Sequence, residues 1–235
     1  MLEAIKNIFR IPDLKKKVLF TAFILILYRM GSFIVTPGVD IEVLKGFFTQ
    51  QENTLFNLFN LFAGGNFERA SIFALGIMPY ITASIVMQLL GSIIPFFEKL
   101  KKEGPEGQKK INQYTRYGAV VIAFFNSIGM AVFLLNAGEG VVTIPQSLFI
   151  FTTVISMITG TMVIMWLGEQ ITASGIGNGI SMIIFAGIIA AYPGGFLNMF
   201  NMIRTGNMKV LSGVAIIAIM LGVTMAVILV TEAVR

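Results

Sequence analysis

GGNFERASIFALGIMPYITASIVMQLLGSIIP, residues 64–95, carries two opposed instructions in one run. Gly64, Gly65 and Asn66 favour a turn, Glu68 and Arg69 place two charges beside it, and from Ala70 to Pro95 the chain is apolar. A membrane span needs roughly 20 mostly apolar residues, and this run supplies somewhat more. Gly76 and Pro79 lie inside it. Proline deletes a backbone donor and crowds the preceding turn, while glycine gives no side-chain support, so the helix is expected to bend or break over 76–79. In lipid a broken backbone survives only where protein or a water-filled cavity covers it, and discontinuous helices of this kind line pathways. An ordinary proline-kinked span is the alternative, and the stretch by itself leaves both open.

Composition places the stretch in a membrane protein. The chain is 56% hydrophobic and 12% charged, with a mean hydropathy of +0.84, whereas soluble domains are about one-quarter charged. There are no cysteines and no histidines. That excludes disulfides, thiolate chemistry, histidine-ligated metals and a histidine general base. The pI of about 9.5 reflects basic residues clustered beside apolar runs, which fits membrane orientation better than nucleic acid. The first apolar run follows Lys15, Lys16 and Lys17. It is too long for the apolar region of a signal peptide and lacks a clear small-residue cleavage site.

The expected class is therefore an all-α polytopic membrane protein. Residues 1–17 read as a cytoplasmic amphipathic helix, with Ala4, Ile5, Ile8 and Phe9 on one side, and residues 18–235 as a transmembrane helical domain. Its expected spans are 18–35, 70–95, 117–135, 148–167, 180–192 and 211–230, about six in all. Residues 55–62, LFNLFNLF, are apolar but too short to cross and suit a re-entrant or surface segment. Residues 96–118 read as a loop dense in lysine, 136–146 as a short connection, and 193–208 as a polar connection. Arg29 lies inside the first span, where it either carries function or snorkels, or pairs with a carbonyl near the outer end. Five basic residues in 1–17 and six in 96–118 face only Lys45, Arg69, Arg204 and Lys209 on the alternate side. The positive-inside rule then puts both ends and the lysine stretch in the cytoplasm.

Catalytic chemistry finds no foothold. Asp13 and Asp40 lie outside the spans, and no two carboxylates share a helix face within them, so neither a proton relay nor a metal site is visible. Glu169 and Glu232 sit at span ends, in solvated or capping positions. GIGNG at 175–179 lacks the strand, the Lys-Ser/Thr pair and the strand–helix unit of a phosphate loop. It reads instead as a helix entry, with Asn178 able to cap the span that follows. Ile77 and Ile81 straddle Pro79 one turn apart, and Ile180 and Ile184 repeat the spacing. Apolar pairs of this kind ordinarily face lipid or a neighbouring helix.

Four stretches together carry a resemblance. ERASIFALGIMPYITASIVMQLL (68–90), KKEGPEGQKKINQYTRYG (101–118), TGTMVIMWLGEQITASGIGNGIS (159–181) and RMGSFIVTPGVD (29–40) closely resemble the SecY family, the central subunits of bacterial protein-conducting translocons. The likeness covers essentially the whole chain in the right order. The family has ten spans in two inverted halves, so this chain looks like its first half plus one further span, an N-terminal fragment or one chain of a split protein.

The resemblance implies roles. Residues 55–76 would be a short re-entrant plug helix, with Leu55, Phe56, Leu58, Phe59, Phe62, Gly64, Gly65 and Arg69 as its residues. Ile77, Ile81, Ile180 and Ile184 would be this half's share of an apolar pore ring. Thr82, Ile85, Gln88 and Leu89 would lie on the lateral-gate helix. Asn178, Lys109, Lys110 and Arg116 would sit at the cytoplasmic mouth and meet partners. A collar of isoleucines seals against ions by dewetting yet parts around a chain it need not recognise. The implied function is the pore subunit of a channel in the bacterial cytoplasmic (inner) membrane. It would pass unfolded secretory proteins across and release membrane segments sideways, without enzymatic activity, metal or cofactor. Implied partners are SecE and SecG, the SecA motor ATPase and the ribosome, signal sequences and nascent chains, anionic lipids, and the missing C-terminal half. A secondary transporter with a broken-helix site is the alternative. It would want an acidic or coordinating residue at the break, where this chain has Met78 among apolar neighbours.

Overall fold

The computed structural model describes residues 11–50, 60, 63–206 and 208–233. Residues 1–10 of the expected N-terminal amphipathic helix, and Leu55, Phe56, Leu58, Phe59 and Phe62 of the expected plug, lie outside the described residues. The described elements are helical: α1 Pro12–Gly31, α2 Ile41–Gln50, α3 Met78–Ile93, α4 Pro95–Lys102, α5 Pro105–Asn136, α6 Gln146–Ser174, α7 Gly179–Ile189, α8 Tyr192–Arg204 and α9 Val210–Ala233. The chain divides into two compact units, Met1–Ile188 and Ile189–Arg235.

Residues 70–95 do not form one helix. Residues 63–77 run as turns interrupted only by an antiparallel bridge from Ser71 to Val35, and α3 begins only at Met78. Positive φ at Gly64, Gly65, Ala70 and Gly76 excludes a helical path there. Pro79 therefore opens α3, where its missing N–H would have had no intrahelical partner, and does not kink it. At the other end, Ile94 is extended and Pro95 starts α4, which turns away by 97°.

The lysine stretch is also helical. Pro95 opens α4 and Pro105 opens α5, with a turn at Gly104 (φ +73°) between them. Thus α5 starts well before residue 117 and runs for 32 residues. Likewise α6 continues past Leu167 to Ser174. The polar stretch after Pro37 contains α2, whose first amides (Glu42 and Val43) donate to the Asp40 carboxylate at 2.9 and 3.3 Å.

In the first unit α3 packs on α5, α5 on α6, α4 on α3 and α5, and α1 on α6. Two small residues, buried Ala83 of α3 and Ala119 of α5, cluster with Met165 of α6. The end where α5 finishes is sewn together by backbone. Thr36 donates to Ala70 (2.9 Å), Ile72 to Ile34 (3.0 Å), Asp40 to Val141 (2.9 Å) and Thr143 to Gly38 (3.0 Å). Beneath these bonds lies a core that includes Leu44, Phe48, Leu134, Phe149 and Met157. Elsewhere the middle of α1 meets the link between α6 and α7, where the Ile176 amide donates to Thr21 Oγ1 at 3.1 Å.

In the second unit α8 and α9 pack on each other, with Gly213 of α9 placed so that a Cβ would lie 2.8 Å from Ile203 Cδ1. Most of the expected polar connection 193–208 is therefore helix, opened by Pro193. By length and composition, Pro105–Asn136, Gln146–Ser174, Gly179–Arg204 and Val210–Ala233 suffice to cross a membrane, and the bent pair α3 plus α4 adds a fifth only when the two are counted as one span. α1 covers the remaining expected span, but Asp13 in its first turn, Lys15 to Lys17 behind it and Arg29 in its last turn shorten its apolar part.

Candidate functional site

Ile77 ends the turn-rich segment and caps α3. Its carbonyl takes the first helical bonds, from Tyr80 and Ile81, each at 3.1 Å. Ile81 stands one turn on, on the same side. Far along the chain, Asn178 Oδ1 accepts from the amides of Ile180 (3.0 Å) and Ser181 (3.2 Å), so it is the N-cap that starts α7. Ile180 and Ile184 follow on that helix. All four isoleucines fall in one apolar cluster, whose buried members are Ile24, Tyr28, Phe73, Ile77, Ile164, Leu167, Ile171 and Ile183. Ile77 is 6% exposed, while Ile81, Ile180 and Ile184 keep one side open. Sequence reading paired these residues within each element. It missed Ile24 of α1 and Ile164 and Ile171 of α6, because nothing local distinguishes them from other apolar helix positions.

Close backbone approach brings the two elements together. A Cβ on Gly64 would lie 2.8 Å from Gly187 Cα, so the turn segment lies directly against α7. A Cβ on Gly160 would run into the Ile72 carbonyl, so α6 is equally close on another side. Arg69 stands 4.9 Å from the centre of the Phe33 ring, and the Gly65 amide donates to the Asn60 carbonyl at 2.8 Å.

The expected gate residues occupy the open side of α3. Pro79, Ala83, Met87 and Gly91 are buried against neighbours, whereas Ile85 and Leu89 are 53% and 58% exposed. Thr82 and Gln88 are exposed as well. Both hydrogen-bond within the helix: Thr82 Oγ1 donates to the Met78 carbonyl at 3.0 Å, and Gln88 Nε2 to Ser84 Oγ at 3.3 Å. The face is thus apolar apart from these two polar side chains.

The basic residues at the other end are not equivalent. Arg116 makes a two-pronged pair with Glu169 of α6, Nε to Oε1 at 2.8 Å and Nη2 to Oε2 at 2.7 Å. Glu169 is therefore a pairing residue and not simply solvated. Lys110 lies 3.6 Å from Glu103. Lys109 lines an open cleft of about 510 Å³ with Asn112, Gln113, Arg116, Tyr117, Val120 and Met162. On α4, the hydrogen bond from Lys102 holds the Glu98 carboxyl below its ordinary pKa. Among the described residues no group of three or more His, Cys, Asp or Glu is placed to hold a metal ion.

A sequence model of the SecY family matches residues 71–235. "Protein translocase subunit SecY" of Escherichia coli (strain K12) is 48% identical over 225 residues, which is 95% of this chain and 51% of that protein. Its namesake in Thermus thermophilus is 44% identical over 216 residues, 90% of this chain and 49% of the relative. The chain thus spans about half the length of the curated relatives it matches. Among solved structures, "Sec61 in the Canine ribosome-channel complex from the endoplasmic reticulum" aligns with a TM-score of 0.60 at 22% identity, over 82% of this chain and 42% of that one. "The structure of a protein conducting channel" aligns with a TM-score of 0.59 at the same identity and coverage. Both likenesses are of fold.

Proposed function

The chain belongs to the SecY family, and we propose that it supplies one wall of a protein-conducting channel. In this reading unfolded secretory chains pass across the bacterial cytoplasmic membrane, and membrane segments leave sideways past α3. One observation carries it: Ile77 and Ile81, and Ile180 and Ile184, come from distant parts of the chain and lie in one apolar cluster beside a backbone break. In lipid such a break is tolerated only where protein or a water-filled cavity covers it, and the turn segment that leads into this one lies against α6 and α7. Branched apolar side chains around it exclude water and ions at rest. Nothing at 76–79 coordinates a solute, so the transporter reading gains no support.

Thr82, Ile85, Gln88 and Leu89 then form this half of the lateral gate, and their exposure fits a face awaiting the opposing half, a signal sequence or a nascent chain. Gly64, Gly65 and Arg69 belong to the plug's C-terminal root. Asn178, Lys109 and Lys110 face the cytoplasm, where the lysines suit anionic lipid, ribosomal RNA or the SecA motor. SecE and SecG would complete the assembly. Channel action of this kind needs no catalytic group.

The test uses the assembled channel in planar bilayers. Substituting asparagine at Ile81 or Ile184 lets water wet the collar, so resting ion conductance per channel is expected to rise. Asparagine at Val227, exposed on α9, is the lipid-facing control and is expected to destabilise without opening a path. Equal conductance in collar and control variants would make these isoleucines packing residues and sink the assignment.

A further inference from the structure

Arg29 has no task in the collar as described. It sits half-buried in the last turn of α1. Its Nη1 donates to the Gly64 carbonyl at 2.9 Å, and its guanidinium lies 5.7 Å from the Phe33 ring centre, the ring that Arg69 also approaches. The adjoining residue works on the same segment. Tyr28 stacks on Phe73 with ring centroids 5.9 Å apart, and its hydroxyl accepts from Asn66 Nδ2 at 3.4 Å. Asn66 is 1% exposed. On its other side Gly64 abuts Gly187 of α7. Side chains of α1 and the backbone of α7 therefore converge on residues 64–66.

That segment leads directly to Ile77. It has tight turns in place of a helical ladder, with left-handed backbone at Gly64, Gly65, Ala70 and Gly76. Such a path keeps its shape only where its surroundings over-determine it. A hydrogen bond from a cation to a carbonyl in apolar surroundings is strong, because breaking it leaves a charge and an acceptor without partners.

We propose that Arg29 is a positioning residue for the collar: its bond to the Gly64 carbonyl, with Tyr28 on Asn66, pins the turn segment between α1 and α7 and so delivers Ile77 to the level of Ile180 and Ile184. The inference rests on the channel reading. It differs from a role in which Arg29 merely anchors the end of α1, because an anchor affects how much channel is inserted and not how tightly each inserted channel closes.

The experiment uses the assembled channel carrying Arg29→Met, Arg29→Lys, Tyr28→Phe or Ile77→Asn. Resting conductance is read per channel. Each of the first three is also combined with Ala63→Cys, a buried position in a chain without native cysteine, and labelled with a membrane-impermeant maleimide. Arg29→Met is expected to raise both conductance and labelling about tenfold or more, the factor that loss of a hydrogen bond to a charged group corresponds to. Arg29→Lys still donates a charged hydrogen bond and is expected to recover most of both. Tyr28→Phe keeps the stack on Phe73 and loses only the long bond to Asn66, so it is expected to give a smaller rise. It carries the test if Arg29→Met inserts poorly. If Ile77→Asn leaks while the Arg29 and Tyr28 variants close and label like the parent, Arg29 is an anchor and the inference is overturned with the channel reading intact. If Ile77→Asn does not leak either, the collar reading fails and takes this inference with it.

Discussion

Arg116 and Glu169 stand 53 positions apart in the chain and meet through two parallel hydrogen bonds. Each alone reads as a charge at the end of a span. Together they tie α5 to α6 at the end that gathers the lysines, and they change how the basic stretch is to be probed. Reversing Arg116 disturbs a pair as well as any partner, whereas Lys109 has no carboxylate against it among the described ion pairs. The pair is half-exposed on the arginine side, so its contribution is about 0.5–1 kcal/mol. Arg116→Glu sets two carboxylates together and Glu169→Arg sets two cations together, so each is expected to lower the thermal unfolding midpoint of the purified complex. The double exchange is expected to restore most of the loss. A double variant no better than the sum of the singles would mean the pair is not formed in solution. Asn178 is the opposite case: its cap is local, two and three residues long, and is therefore legible in the sequence, while the partner of Arg116 is set by helix packing and is not.

At the scale of elements, the legible features are those that proline and glycine dictate. Gly76 and Pro79 mark a break, and a break is there; Gly104 and Pro105 mark a turn, and the chain turns. What composition does not show is conformation on either side. An apolar run reports the medium a segment occupies, so 70–77 looks like helix although its backbone is pulled aside by bonds to residues 34–36. A lysine-rich run looks like loop although both its halves are good helix material opened by prolines. The packing that holds the turn segment predicts its own weak point. Gly160 admits the Ile72 carbonyl against α6, in a position where any Cβ would collide with backbone. Gly160→Ala is expected to destabilise the complex by about 1–3 kcal/mol, the usual range for overpacking, and to do so although alanine is the better helix former. Gly129 on α5, with open space at the same test, is the control: Gly129→Ala is expected to leave the unfolding midpoint unchanged or slightly raised. Equal effects at the two positions would show that α6 and the turn segment are not in contact.

At the scale of the molecule, α5 is the element on which the proposed orientation is tested. Its 32 residues reach roughly 48 Å at the rise of an α-helix, longer than a hydrocarbon core of about 30 Å. Its start lies beside α4 and the lysines at 99, 101, 102, 109 and 110, and its end leads into residues 137–145, which carry Glu139 and no basic residue. A bilayer that holds lysine on its cytoplasmic side then places Asn112 inside and Glu139 outside. Both side chains are exposed, and the chain has no cysteine to give background. With single cysteines in intact cells, a membrane-impermeant maleimide is expected to label Glu139→Cys and spare Asn112→Cys, and inverted vesicles are expected to exchange the two. The outcomes separate two ideas. Reversed labelling would keep α5 as a span and overturn the orientation, and with it the cytoplasmic place proposed for Lys109, Lys110 and Asn178. Labelling of both from one face would mean that α5 does not cross at all. In that event α3, which carries Ile81 of the collar, packs along α5 and is itself only 16 residues long, would have no spanning scaffold, and the channel reading would have to be given up at its largest scale.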